Sequence, residues 1–190
     1  MASARSMLGL SPSTASTSDS VLVIVDAQNE YATGHLRVSN VDTSRKVIES
    51  VLQKYRTAKA PVIHVVHSTP EGAPVFTPNT ELAEEFSELK PVDGEPVISK
   101  EAPGSFTGTK LQEELESTGR KKVVLAGYMA HVCISTTARQ CHERGWDVIV
   151  AQDAVGDRDI PGVGAEELTR VALCEIADFF GTVLESKEIK

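Results

Sequence analysis

Three side chains able to do nucleophilic or acid–base chemistry follow apolar stretches of the sequence. Asp26 and Lys100 come at or near the ends of such stretches, and Cys133 follows residues 123–126 after a short turn. A carboxylate within hydrogen-bond reach can take the proton of a thiol, and an ammonium group nearby lowers the pKa of both acids. Backbone N–H groups before Cys133 could form an oxyanion hole, worth about 3–4 kcal/mol per donor. The three residues predict acyl transfer through a cysteine, with aspartate in the place more often held by histidine.

The order of the apolar runs predicts how these residues are positioned. Strands are predicted at 21–25, 61–67, 97–99, 122–126, 146–151 and 182–184. Helices are predicted at 40–59, 107–117, 135–145 and 163–180, with one further short helix near 82–86. Because strands and helices alternate, we predict an α/β fold with a three-layer, doubly wound, mostly parallel, Rossmann-like sheet of about six strands. The carboxyl ends of parallel strands meet at one edge, so Asp26, Lys100 and Cys133 are expected to converge there.

The composition suits one globular domain with a short extension. Of the 190 residues, 41% are hydrophobic and 24% are charged, which is ordinary for such a domain. Residues 1–19 are rich in Ser and Thr without periodicity, so we predict a flexible N-terminal tail, or a loosely docked arm, before a domain at 20–190. The net charge of −8, with no basic stripe, argues against nucleic acid and anionic membranes as partners.

The cysteines and the N-terminal region indicate the compartment. Three cysteines without a CxxC spacing are typical of free thiols in a reducing environment. The apolar run at residues 7–10 is shorter than the core of a secretory signal. We therefore expect a cytoplasmic protein, with export by a route that needs no signal peptide as the alternative. The sequence has no glycine-rich phosphate loop, so no nucleotide cofactor is expected.

Four stretches, in order, resemble the motifs of the isochorismatase-like (cysteine hydrolase) family. Residues 23–31 resemble its strand followed by Asp-x-Gln-Asn, an acidic and an aromatic residue. Residues 100–109 resemble its Lys-x4-Ser-(Ala)-Phe-x-Gly-Thr motif. Residues 126–137 resemble its nucleophile segment, and residues 150–154 the Asp-Ala pair after the following strand. Each motif alone is weak, but four in order are specific. The family includes nicotinamidases, carbamoylsarcosine amidohydrolase-like enzymes and isochorismatases.

The resemblance implies a site. It implies a catalytic triad of Asp26, Lys100 and Cys133, and a cis peptide bond at Tyr128–Met129 or Met129–Ala130 that turns a backbone N–H towards an oxyanion. The substrate-binding residues that it implies are Gln28, Tyr31, Phe106, Met129, Ala130 and His131.

Several of these residues have structural alternatives. Tyr31 is expected to form an apolar wall of the pocket. A structural role is an equal alternative for Gln28, core packing is favoured for Phe106, and a structural hydrogen bond competes with substrate carboxylate binding for His131. Some nicotinamidases bind zinc through an Asp-x-His pair, which this sequence lacks, so no metal is expected.

The motifs leave the reaction open between two classes. Residues 130–132 resemble the Ala-His-(Ile/Val) run of isochorismatases, several of which carry Gly at the nucleophile position, whereas Cys133 matches the amidase nucleophile. The lead hypothesis is cleavage of the vinyl ether of isochorismate to pyruvate and a dihydroxydihydrobenzoate, with Asp26 as the acid. The alternatives are C–N hydrolysis through a thioester on Cys133 and a non-catalytic binding member of the family.

The expected partners follow from the same features. The substrate is expected to be small and anionic, because the Lys100 ammonium and the positive end of the helix after Cys133 offset the acidic surface locally. A homo-oligomer is expected, and the long Pro-, Gly- and Glu-rich connection at 68–96 is the candidate contact between subunits.

Overall fold

The computed structural model describes residues 2–190 and is built around one six-stranded sheet. The strands are β1 Ser20–Val25, β2 Val62–His67, β3 Val97–Lys100, β4 Lys122–Tyr128, β5 Asp147–Gly156 and β6 Thr182–Leu184. Their order across the sheet is β3-β2-β1-β4-β5-β6, and every pair of neighbours is parallel. The prediction of a mostly parallel α/β sheet of about six strands is confirmed.

Helices cover both faces of the sheet. They are α1 Ala4–Met7, α2 Glu30–Thr33, α3 Val41–Thr57, α4 Leu111–Ser117, α5 Ser135–Glu143 and α6 Ala165–Glu175. Two π-helical segments, Ala130–Ile134 and Ile176–Phe180, adjoin α5 and α6, and short 3-10 turns lie at Glu81–Ala83, Ser87–Leu89 and Ser186–Glu188. Among the described residues, no helix has the length and apolar character needed to cross a bilayer.

The sheet is buried on both faces, which gives the three layers. All six residues of β1 are buried. Successive side chains of a strand point to opposite faces, and here Leu22 and Ile24 pack into the core under α3 while Val23 and Val25 pack into the core under α4 and α5. The continuous apolar run of β1 therefore contributes side chains to the hydrophobic cores on both faces of the sheet.

The direction of winding reverses between β1 and β4. Strands β2 and β3 lie on one side of β1, whereas β4, β5 and β6 lie on the other. In open parallel sheets, the carboxyl ends of the strands at such a reversal form a crevice that binds ligands. Asp26 follows β1, and the segment that carries Cys133 follows β4, so the topology places both residues at this crevice.

Gly127 allows β4 to run close to β1 at the same place. It pairs with Val25 and has a φ of +118°, and a Cβ atom there would overlap the carbonyl oxygen of Val25. The overlapped atom is backbone and lies next to Asp26, so a larger residue would displace the strand that holds the aspartate.

Two predicted helices differ from the observed ones. The helix predicted from residue 107 begins at Leu111, because Gly108 has a φ of +69°, outside the helical region. A helix expected near residues 82–86 is absent from the described structure, where two 3-10 turns place Phe86 and Leu89 in the core instead. Both differences lie in turn-rich segments, where only a short run of residues follows the 3.6-residue helical period.

The predicted flexible tail is an arm docked on the domain in this structure. Ala15 is buried, its carbonyl accepts a hydrogen bond from the backbone of Lys190, and the backbone of Ser13 donates to Thr182. These contacts join the arm to the far end of the chain and to the edge strand β6. A pairing between such distant segments leaves no local pattern in the sequence. Met1 lies outside the described residues.

Candidate active site

The structure brings Asp26, Lys100 and Cys133 together at the carboxyl ends of β1, β3 and β4. The Lys100 Nζ lies 2.7 Å from Asp26 Oδ2 and 3.4 Å from Cys133 Sγ. The side chains of Asp26 and Lys100 are fully buried, and Cys133 is 4% exposed. Asp26 has a φ of +51°, a strained conformation for a non-glycine residue, and such strain often marks functional sites.

Lys100 is the centre of this group because its ammonium has four neighbours. Besides Asp26 and Cys133, it contacts the carbonyl oxygen of Ala102 at 3.0 Å and Nδ1 of His67 at 3.2 Å. An ammonium group has three protons to donate. All of them therefore have partners within the protein, which leaves none to donate a hydrogen bond to a substrate.

Burial sets the protonation of the group. It raises the pKa of the Asp26 carboxyl to about 6, although the Lys100 ammonium and the Cys133 thiol act in the opposite direction. Burial and the Asp26 carboxylate raise the pKa of the Cys133 thiol to about 12, against the effect of Lys100. The lowering of both pKa values expected from the sequence is therefore not found, because burial outweighs the ammonium.

His67 is a part of the site that the sequence pattern did not identify. Burial and the Lys100 ammonium lower the pKa of its imidazole to about 4, so the ring is neutral at physiological pH. A neutral ring can accept a hydrogen bond from the Lys100 ammonium at Nδ1. The parallel register places His67 opposite Lys100 on the neighbouring strand, and this register cannot be read from either strand alone.

The segment around the nucleophile has an irregular backbone. A cis peptide bond joins Tyr128 to Met129, one of the two positions expected from the sequence. The chain then forms the π-helical turn Ala130–Ile134, in which the carbonyl of Met129 accepts hydrogen bonds from two later N–H groups. Met129 and Ala130 are both buried beside Cys133 in the chain.

Gln28 and Phe106 have structural contacts. The Gln28 side chain donates to the carbonyls of His67 and Ala83 and accepts from the N–H of His67. With all its polar atoms bonded, Gln28 positions His67 rather than reaching for a substrate. Phe106 is 7% exposed and packs in the core, with the Arg144 guanidinium 4.6 Å above its ring.

His131 is held by Asp157, a buried residue that follows β5. The Asp157 carboxylate accepts from the His131 backbone N–H at 3.0 Å and contacts the ring at Nδ1 at 2.7 Å. The His131 ring remains 26% exposed. Asp157 was missed because the sequence predicted the strand to end at residue 151, whereas β5 continues to Gly156.

Replacing Asp157 with alanine should destabilise this turn. Two groups of His131 would lose their acceptor, and an unsatisfied buried donor costs about 1–3 kcal/mol. For a chain of this size, we expect the melting temperature to fall by about 2–4 °C per kcal/mol. Thermal unfolding followed by circular dichroism measures the shift.

The matched control is His131→Ala, which removes the ring but keeps the backbone N–H bond to Asp157. It should cost less than Asp157→Ala. Equal melting temperatures for Asp157→Ala and the unaltered protein would show that Asp157 does not hold the turn.

A second network of buried polar side chains adjoins the segment that positions His67. His64 on β2 contacts Glu85 Oε1 at 2.9 Å through Nδ1 and Glu95 Oε2 at 3.1 Å through Nε2. The Arg56 guanidinium binds Glu95 through two hydrogen bonds. Glu85 also forms a backbone bridge with Gln28, so the network fixes the segment that positions His67.

The site coincides neither with a cluster of metal-ligating side chains nor with a groove of the protein surface described by its lining residues. Among residues 2–190, no three His, Cys, Asp or Glu side chains are grouped to hold a metal ion. A surface groove of about 630 Å³ lies between α3, β5 and α6, lined by residues such as Asn40, Asp153 and Arg170. No triad residue lines it, and the buried, mutually bonded triad is the better candidate on chemical grounds.

Comparisons with known proteins agree with this fold. The isochorismatase domain matches residues 20–188. The chain is 66% identical over 189 residues to the "Secreted isochorismatase effector Isc1" of Verticillium dahliae, covering 100% of both chains. It is 39% identical to the "Isochorismatase-like protein asqB" of Emericella nidulans, covering 98% of this chain and 83% of that one.

A solved structure also has a very similar fold. The crystal structure of an isochorismatase from Pseudomonas putida superposes with a TM-score of 0.96 at 30% identity, covering 100% of both chains. More distant relatives are named as a nicotinamidase and an amidohydrolase. The domain match, the identity to these relatives and the shared fold lead to one conclusion: the chain belongs to the isochorismatase family and is a hydrolase.

Proposed function

We propose that this hydrolase cleaves the vinyl ether of isochorismate, giving pyruvate and a dihydroxydihydrobenzoate. The observation that carries the proposal is the state of Asp26. Its carboxyl is fully buried and its pKa is raised to about 6. A raised carboxyl pKa is what a general acid needs near neutral pH. The relative at 66% identity, named as an isochorismatase, supports the same choice of substrate.

In the proposed reaction, Asp26 delivers its proton to the terminal carbon of the enol ether, which becomes the methyl group of pyruvate. The ether carbon is left as an oxocarbenium ion. Water adds to that carbon and gives its proton to the Asp26 carboxylate. The hemiketal then breaks its bond to the ring oxygen, which takes the proton of the hemiketal hydroxyl, and pyruvate and the ring diol are released. The Lys100 ammonium, 2.7 Å from Asp26, stabilises the carboxylate between the two proton transfers.

The Cys133 thiol is poorly suited to attack in its resting state. Its pKa is raised to about 12 by burial and by Asp26, so very little thiolate exists at neutral pH. A thiol must lose its proton to act as a nucleophile. In the proposed reaction, Cys133 therefore lines the pocket rather than forming a covalent bond.

The second candidate is C–N hydrolysis through a thioester on Cys133. The observation that favours it is that Lys100 Nζ lies close to both Cys133 Sγ and Asp26 Oδ2. Above its pKa, Asp26 is ionised and can accept the thiol proton as a general base when an amide substrate arrives. Relatives named as nicotinamidase and amidohydrolase support this alternative.

The pH profile of the reaction separates the two candidates. If Asp26 acts as an acid, only its protonated form is active, so kcat/KM for isochorismate should be constant at low pH and fall tenfold per pH unit above about 6. If Asp26 acts as a base in amide hydrolysis, kcat/KM for the amide should instead fall as the pH drops below about 6. Pyruvate release from isochorismate and ammonia release from an amide, each measured from pH 5 to pH 8, test the sign of the slope.

A substrate screen completes the test. The unaltered protein is assayed with isochorismate, by pyruvate release, and with nicotinamide and small amides, by ammonia release. We expect pyruvate from isochorismate and no ammonia. Ammonia release from an amide, with no pyruvate from isochorismate, would reject the vinyl ether proposal in favour of the thioester route.

We also propose that the protein is exported. The relative at 66% identity is named as a secreted effector, and this name is what supports the proposal. The protein should be detected in the culture medium of cells that produce it, with a cytoplasmic marker absent from the same medium. Retention of the protein with that marker would contradict export.

A further inference from the structure

Tyr31 differs from the other two tyrosines of the chain. The Tyr55 hydroxyl is hydrogen-bonded to Ser20 at 2.5 Å, and the Tyr128 hydroxyl to Ser44 at 2.6 Å. Tyr31 is 2% exposed, yet its hydroxyl has no hydrogen-bond partner within residues 2–190. A buried tyrosine usually finds a partner for its O–H group. The Tyr31 oxygen is not among the fully enclosed unpaired atoms, so it keeps a small exposed area.

The contacts of Tyr31 place it at the active site. Its ring packs edge-on against Phe76, with ring centroids 5.2 Å apart, and Phe76 packs against His67 at 4.9 Å. His67 in turn contacts Lys100. Burial raises the pKa of the Tyr31 phenol well above its ordinary value, and the nearby Cys133 and Asp26 raise it further. The phenol therefore stays protonated and can donate a hydrogen bond at any working pH.

Such a donor is useful in this site because the Lys100 ammonium already has protein partners for all its hydrogen bonds. The four neighbours of Lys100 are all protein atoms, and the His131 ring is bonded to Asp157 through Nδ1. A hydroxyl group here would give a substrate carboxylate a hydrogen bond that Lys100 does not supply. The Tyr31 hydroxyl is such a donor, and it has no other partner in the described chain.

We propose that the Tyr31 hydroxyl donates a hydrogen bond to a substrate carboxylate carried next to the reacting bond, and so makes Tyr31 a specificity-determining residue. This replaces the apolar wall expected from the sequence with a polar contact. The inference rests on the proposed function, in which the enolpyruvyl arm of isochorismate carries that carboxylate.

The test is Tyr31→Phe, which removes one oxygen and keeps the ring. We expect kcat/KM for isochorismate to fall by about 10- to 100-fold, the loss of a hydrogen bond to a charged group. The melting temperature should not fall, because the hydroxyl has no partner in the protein. Tyr55→Phe is the matched control. It removes a hydroxyl bonded to Ser20, so it should lower the melting temperature and leave kcat/KM unchanged.

A binding measurement keeps the inference separate from the proposed function. The probe is 2-(cyclohexyloxy)propionate, which has the carboxylate and the ether oxygen but no double bond to hydrolyse. Calorimetry should show weaker binding to Tyr31→Phe than to the unaltered protein or to Tyr55→Phe. That result supports the inference even if isochorismate is not cleaved. Equal binding to all three proteins, or no binding to any, would overturn it.

Discussion

Replacing Asp26 with asparagine is expected to lower kcat for isochorismate by about 10²–10⁴-fold, the range for a lost general acid. Asparagine has nearly the shape of the carboxyl group, and its oxygen can still accept a hydrogen bond from Lys100. It cannot deliver a proton to carbon, however, and the proposed reaction begins with that transfer. Replacing Cys133 with alanine should cause a much smaller loss, because the thiol takes no part in bond formation.

The comparison requires both variants to be folded. Asp26 shares a buried ion pair with Lys100, and removing one partner of such a pair costs about 3–5 kcal/mol. Thermal unfolding of each variant with circular dichroism is therefore measured first. Rates are measured by pyruvate release well below the melting temperature. If Cys133→Ala loses activity as completely as Asp26→Asn, the acid mechanism is wrong and the thiol takes part in the chemistry.

The sequence predicted the sheet and the triad because both leave local signals. The runs that become β1 and β4 are continuously apolar, as expected of strands buried on both faces. Asp26, Lys100 and Cys133 are reactive residue types at the ends of such runs. Parallel strands bring their carboxyl ends together whatever their separation in the chain. The convergence of the triad follows from those two facts.

The contacts that position the triad and set its pKa values could not be predicted, because they depend on strand register and on burial. His67 reaches Lys100 through the pairing of β2 with β3, and no pattern within either strand sets that pairing. Asp157 reaches His131 because β5 continues through the polar residues Gln152 and Asp153. The Cys133 pKa was expected to fall near an ammonium, but it rises because the thiol is 4% exposed.

The network around His64 should make the largest contribution to stability among the polar contacts behind the site. Replacing His64 with leucine removes the side-chain partner of Glu85, whose side chain is 7% exposed. Leaving a buried hydrogen-bonding group without its partner costs about 1–3 kcal/mol. We therefore expect the free energy of unfolding, measured by urea denaturation, to fall by about that amount.

A double variant separates the energy of the contact between His64 and Glu85 from the cost of removing the imidazole volume. In His64→Leu with Glu85→Leu, no carboxylate is left unpaired at this position, so part of the stability should return, and the cycle gives the coupling between the two residues. Glu95 keeps Arg56 as its partner in every variant. Because Glu85 bridges Gln28, and Gln28 binds the backbone of His67, His64→Leu should also lower kcat/KM. A loss of stability below about 1 kcal/mol in His64→Leu, the range of an exposed ion pair, would show that the network does not hold this segment.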